Sequence, residues 1–146
     1  MGCCFGLNKQ TNIDNNLKIK KKDINILYVE DCDIYMPLMK FIFNKYLKNI
    51  NFNITLKDNV NDAYEYIKNN DIDLIFLDRQ LKNKETGDTL IDILIDEQIY
   101  DIKKIIIISA IDNLDDIQTF LDMGIYYLKK PIDIPIFIKT IENIFT

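Results

Sequence analysis

The sequence predicts an α/β fold built on a five-stranded parallel doubly wound sheet, and three observations carry that expectation. Short apolar runs at 24–29, 52–56, 73–77, 105–108 and 125–128 alternate with stretches of helical spacing. Most of these runs are nearly unbroken Ile, Leu and Val, as in strands buried on both faces. Helices between such strands then require parallel pairing through right-handed crossovers.

Each element has its own local signal. After the first run, residues 33–48 carry Ile34, Leu38, Phe41, Ile42 and Tyr46 at helical spacing. Pro37 belongs in the first turn of that helix, where a missing N–H costs least, and Asp33 suits its N-cap. Residues 52–56 alternate like a half-buried strand, and 59–69 form a short helix around Ala63, Tyr64 and Ile67. The run 73–77 stops at Asp78. A polar loop containing Gly87 leads to a helix over 88–97. The β-branched run 105–108 ends at Ser109-Ala110, and Asn113 starts a helix to Met123. Gly124 suits the position just past that helix end. A last strand at 125–128 runs into Lys129-Lys130-Pro131, and 134–145 closes the chain as a helix with Pro135 near its start.

At 146 residues the chain is long enough for one well-filled core. Residues 1–22 are polar and aperiodic and are expected to form a flexible tail, leaving 23–146 as the domain. The net charge of −5 and the pI near 4.7 argue against a nucleic-acid surface. No apolar run approaches the ~20 residues that span a bilayer. Cys3, Cys4 and Cys32 lack metal-ligand spacing, and the sequence holds no histidine. That combination argues against a disulfide scaffold or zinc site, excludes a Ser-His-Asp or Cys-His site within these residues, and makes a reducing cytoplasm the expected setting. Gly2-Cys3-Cys4, with Lys18 and the lysines at 20–22, resembles a dual acylation signal. Gly6 stands where that signal wants Ser or Thr, so lipid anchoring ranks below a plain leader.

The chemistry gathers at the strand ends. In open parallel sheets, ligands bind beyond the carboxyl ends of the strands. The first run ends in Glu30-Asp31, the third in Asp78, the fourth in Ser109, and the fifth delivers Lys130. Three carboxylates in one crevice repel each other unless a cation is present. A hard oxygen set with room for water suits Mg²⁺. Lys130 adds a positive point charge, Ser109 a small hydroxyl donor, and Asp78 a carboxylate nucleophile. Such parts serve phosphoryl transfer to a carboxylate.

Leu27-Tyr28-Val29-Glu30-Asp31, Leu74-Ile75-Phe76-Leu77-Asp78, Ile107-Ile108-Ser109-Ala110 and Tyr127-Leu128-Lys129-Lys130-Pro131 stand in order at four strand ends. Together they resemble the receiver domain of two-component response regulators, most closely the single-domain, chemotaxis-regulator type, over about 23–146. The resemblance implies a flavodoxin-like (βα)5 receiver fold. It further implies that Glu30 and Asp31 hold Mg²⁺, that Asp78 is both ligand and phosphorylation site, and that Gln80 lends its backbone carbonyl to the metal. Ser109 and Lys130 would bind the phosphoryl oxygens, and Tyr127 would be the aromatic whose rotamer follows Ser109. The implied donor is a histidine kinase or phosphotransfer protein. The implied target is a protein that docks on the fourth helix, fifth strand and fifth helix. The role is that of a stand-alone signalling switch, not an enzyme.

Departures from the family pattern are local. Arg79-Gln80-Leu81-Lys82 replaces the frequent Met-Pro, which puts a charged residue beside Asp78 that would bear on partner choice or phosphoryl lifetime, and the loop 83–87 is about one residue longer than the family's usual loop. Ile111 occupies a position that tunes water access to the phosphoryl group. Asp112, Asp115 and Asp116 read as a solvated helix face, Lys129 as a surface lysine, and Cys32 as filler. Two other functions compete. A pseudo-receiver scaffold has no reason to keep three close carboxylates, and an aspartyl-intermediate phosphatase lacks its second carboxylate two residues after Asp78.

Overall fold

The computed structural model describes residues 19–20, 23–32 and 34–146. Most of the expected tail, the Gly2-Cys3-Cys4 segment and the Asp33 cap lie outside the described residues.

Strands β1 (Asp23–Val29), β2 (Asn51–Lys57), β3 (Leu74–Leu77), β4 (Ile105–Ser109) and β5 (Tyr126–Lys129) alternate with helices. The helices are α1 (Tyr35–Tyr46), α2 (Val60–Asn69), α3 (Gly87–Glu97), α4 (Leu114–Asp122) and α5 (Ile134–Phe145). The strands pair in parallel in the order β2-β1-β3-β4-β5. This is the doubly wound sheet the sequence predicts.

Strand periodicity divides the core into two layers. Ile24, Ile26, Tyr28, Phe76, Ile106 and Ile108 face one side, where α1 contributes Met39, Ile42 and Phe43 and α5 contributes Phe137, Ile138 and Ile141. Leu27, Val29, Ile75, Leu77, Ile105 and Ile107 face the other side. There α2 adds Val60, Ala63 and Ile67, α3 adds Leu90, Ile91 and Leu94, and α4 adds Phe120. The continuous apolar runs follow directly, because successive residues of one strand enter opposite cores and both are dry.

β2 is longer than its apolar run. Asn51 pairs with Asp23 in the ladder, and its side-chain amide donates to Asp23 Oδ1 at 3.0 Å. Asn53 likewise donates to Asn25 Oδ1 at 3.2 Å. Polar ladders of this kind extend the edge of the sheet without any hydrophobic signal. The caps follow their residue chemistry. Asn113 accepts from the Asp115 and Asp116 amides at the start of α4, Asp133 accepts from the Ile136 amide at α5, and Gly124 follows α4 at φ 83°.

The chain leaves β1 toward one edge of the sheet and β3 toward the other, so a crevice opens between their carboxyl ends. Val29 and Leu77 are register partners, and the Asp78 amide donates to the Val29 carbonyl at 2.9 Å. Glu30 and Asp78 are therefore side by side, each one residue past its strand. The Lys130 amide donates to the Ser109 carbonyl at 2.9 Å, which sets Lys130 at the same edge.

Candidate functional site

Glu30 is 2% exposed and Asp78 is 7% exposed, and one carboxylate oxygen from each of Glu30, Asp31 and Asp78 lies within 4.8 Å of the other two. Lys130 reaches this group from β5. Its Nζ donates to Glu30 Oε2 at 2.8 Å and to Asp78 Oδ2 at 3.0 Å, and it lies 4.6 Å from the centre of the Tyr35 ring. Lys130 thus pairs with two of the three clustered carboxylates. The excess negative charge favours a cation, and the donors are hard oxygens close enough to share one ion. The residues therefore fit Mg²⁺.

Glu30 is held on both oxygens. Oε2 accepts from Lys130 and from the buried Tyr28 hydroxyl at 3.3 Å, while Oε1 accepts from the Cys32 amide at 3.3 Å. Burial pushes the Glu30 carboxyl up to about 7; Lys130 opposes this, and the neighbouring Asp78 adds to it. Lys130 loses some basicity to burial, but its bonds to Glu30 and Asp78 outweigh that loss and raise its pKa. Tyr28 is held well above the ordinary phenol range, first by burial and then by the Glu30 charge. Its hydroxyl stays a donor.

Asp78 opens onto a cavity of about 590 Å³ lined by Asp31, Gln80, Lys84, Thr86, Ala110 and Lys130, among others. The Gln80 amide donates to Asp78 Oδ1 at 3.1 Å, so the peptide after Asp78 folds back over its own carboxylate. A bridge between Gln80 and Thr86 closes the loop that follows. Glu85 pins that loop to α2 by accepting from the Val60 amide at 3.0 Å. Gly87 begins α3 hard against the backbone of Asp78. A side chain there would lie inside van der Waals contact of the Asp78 carbonyl and 2.9 Å from Leu77 Cγ.

The other residues singled out from the sequence take more specific places. Ser109 is buried, but its hydroxyl accepts from the Ile111 amide at 3.2 Å, and Ala110 rather than Ser109 lines the cavity. Tyr127 lies away from the carboxylates. Its hydroxyl donates to the Ile111 carbonyl, and its ring stacks on Phe120 at 6.2 Å. Lys129 is exposed and pairs with Asp112 at 2.7 Å.

Arg79 follows Asp78 in the chain, and its partners correct one expectation. Its Nε and Nη2 donate to the two oxygens of Asp88 at 3.0 and 2.9 Å, and its Nη1 donates to Asp116 at 3.1 Å. Asp116 is accordingly not a merely solvated residue, and Asp112 precedes α4 instead of lying on its face. Exposed ion pairs are worth about 0–1 kcal/mol each. The Arg79 side chain is only 11% exposed, binds Asp88 through two bonds and lies 5.1 Å from the Phe120 ring centre, so this one counts for more. Asp88 first, with Asp116 and Tyr127 adding, holds its pKa above the ordinary guanidinium value.

Sequence reasoning passed over Tyr28 and Tyr35, which border Glu30 and Lys130. A phenol in the apolar end of β1, two residues before a buried carboxylate, was the available signal for Tyr28.

The comparisons bear on the fold and the family. The family model described as the response regulator receiver domain matches residues 26–142. No curated protein matches the chain. Among solved structures, it is similar to the receiver domain of the Francisella response regulator 1452, with 25% identity and TM-score 0.64 over 84% of this chain and 96% of that one. A two-component response regulator from Clostridium difficile has 24% identity and TM-score 0.67, over 83% and 94% of the two chains. A CheY-like response regulator receiver domain protein from Methanospirillum hungatei JF-1 has 17% identity and TM-score 0.64, over 82% and 91%. With the family model covering most of its length, the chain belongs to the response regulator receiver domains of two-component systems.

Proposed function

We propose that this receiver is a phosphorylation-controlled switch in which Asp78 accepts a phosphoryl group from a phosphohistidine on another protein. The observation that carries the reading is the buried pairing of Lys130 with both Glu30 and Asp78, in a crevice whose third carboxylate is Asp31. These 146 residues contain no histidine, so the donor histidine lies outside them, on a histidine kinase or phosphotransfer protein.

Glu30, Asp31, Asp78 and the Gln80 carbonyl would hold Mg²⁺. Bound there, it would offset negative charge on the transferring group. Asp78 attacks phosphorus through a carboxylate oxygen. The P–N bond of the donor breaks, its electron pair returns to the imidazole, and an acyl phosphate forms on Asp78. Lys130 already faces Asp78 Oδ2 and needs only a small shift to meet a phosphoryl oxygen. Ser109 supplies the second donor by turning its hydroxyl from Ile111 toward the cavity. Tyr127 is the aromatic that follows Ser109, because both bond to Ile111. The signal would leave through α4, β5 and α5, where Leu114 and Ile136 are exposed.

Incubation with Mg²⁺ and acetyl phosphate, followed by intact mass, tests the reading. One added phosphoryl group is expected, lost in Asp78→Ala. No addition would leave a phosphorylation-independent scaffold, and addition that survives Asp78→Ala would overturn Asp78 as the acceptor.

A further inference from the structure

We propose that Arg79 is a positioning residue that restrains this phosphotransfer, latching α4 to α3 in the arrangement that belongs to unmodified Asp78. The inference rests on the phosphoacceptor reading of Asp78 and extends it to a residue outside the acidic crevice.

Arg79 is the sole arginine of the chain and immediately follows Asp78, yet its side chain turns away from the carboxylates. It binds Asp88 in the first turn of α3 through two nitrogens, and Asp116 in the first turn of α4 through the third. One planar fork therefore joins the end of β3 to the starts of two helices. A lysine could serve either carboxylate but not hold both in a fixed plane. The guanidinium also lies 5.1 Å from the Phe120 ring centre, and Phe120 stacks on Tyr127 with an interplanar angle of 25°.

From Tyr127 the contacts run back to the site. Its hydroxyl donates to the Ile111 carbonyl, and the Ile111 amide donates to Ser109 Oγ at 3.2 Å. The circuit starts one residue from Asp78 and ends on the hydroxyl that a phosphoryl group on Asp78 would recruit. For Ser109 to turn into the cavity, it must give up the Ile111 amide. Ile111 and Tyr127 can then move only as far as Phe120 and α4 allow, and Arg79 restrains both. The Asp116 arm is a single bond to a half-exposed carboxylate, so it is the arm that yields. Whatever loosens this latch must also favour the phosphorylated arrangement, because coupling between two sites is reciprocal.

Beryllofluoride with Mg²⁺, a phosphoryl mimic, is titrated into the full chain while the amide resonances of Ser109 and Asp116 are followed. Arg79→Gln and Asp116→Asn are expected to bind it about fivefold more tightly or better, with Arg79→Lys between them and wild type. The rate of labelling by acetyl phosphate should rise in the same order. Arg79→Gln also loses thermal stability, as any removed staple would. A lower melting temperature with unchanged or weaker beryllofluoride binding overturns the latch. Asp116→Asn, on the surface of α4, keeps the test decisive if Arg79→Gln fails to fold. Wild type that takes neither beryllofluoride nor phosphoryl, and so matches Asp78→Asn, sinks the phosphoacceptor reading and the latch together. Wild type that responds while the variants do not differ from it sinks the latch alone.

Discussion

Lys130 Nζ lies 2.8 Å from Glu30 Oε2, joining residues a hundred positions apart in sequence, with the Lys130 side chain 12% exposed and that of Glu30 2%. The pair is buried and shares its lysine with Asp78. Desolvation consumes much of what such a pair gains, so its net worth is small while it is intact. Removing one partner is different, because it strands the rest as uncompensated buried charge.

Lys130→Met is therefore expected to destabilise the metal-free protein by about 3 kcal/mol. Mg²⁺ should restore part of that loss by offsetting the same carboxylates. Urea unfolding with and without Mg²⁺ measures both. A variant as stable as wild type in EDTA would contradict the role given to the lysine.

The pH dependence follows from Glu30. Its carboxyl is raised from 4.5 to about 7 by burial, so between those values the folded protein holds a proton that the unfolded chain has released. Stability contributed by this group is full below about 4.5 and is lost as pH rises toward 7. Mg²⁺ favours the ionised form, so its stabilising effect should grow over the same window. Melting curves of wild type and Glu30→Gln from pH 5 to 8, with and without Mg²⁺, isolate the contribution. A wild-type minus Glu30→Gln difference that stays flat across the window would refute it.

Gly87→Ala should damage stability and site together. The new Cβ meets the Asp78 carbonyl and Leu77, both in or beside the fully buried β3, so neither can give way cheaply. Overpacking of this kind costs about 1–3 kcal/mol. The displaced Asp78 backbone should also slow labelling by acetyl phosphate. Labelling at the wild-type rate would show that the close approach does not position Asp78.

Ile111 bonds through its backbone to both Ser109 and Tyr127, which leaves its half-buried side chain free to vary. Ile111→Glu is expected to shorten the phosphoryl lifetime on Asp78, by bringing an oxygen that can orient water where an apolar group stands. Loss of the phosphoryl mass over time gives the lifetime directly. Equal decay in both proteins would rule this out.

The fold was legible because its signals are local. Unbroken apolar runs with helical spacing between them leave few arrangements other than a doubly wound parallel sheet, and the residue that ends each run must stand at the sheet edge. Glu30, Asp31, Asp78 and Lys130 were located in that way. What those residues touch was not legible, because partners come from distant elements. Only the packed structure turns the Ser109 hydroxyl toward Ile111, seats Tyr28 beneath Glu30 and sets Gly87 against the Asp78 carbonyl. Arg79 is the plainest case. Its place next to Asp78 in sequence left its partners open, whereas the carboxylates of Asp88 and Asp116, brought near by α3 and α4, hold its side chain. Strand and helix periods fix where a side chain begins. The charges and surfaces that the tertiary fold assembles around it decide where it ends.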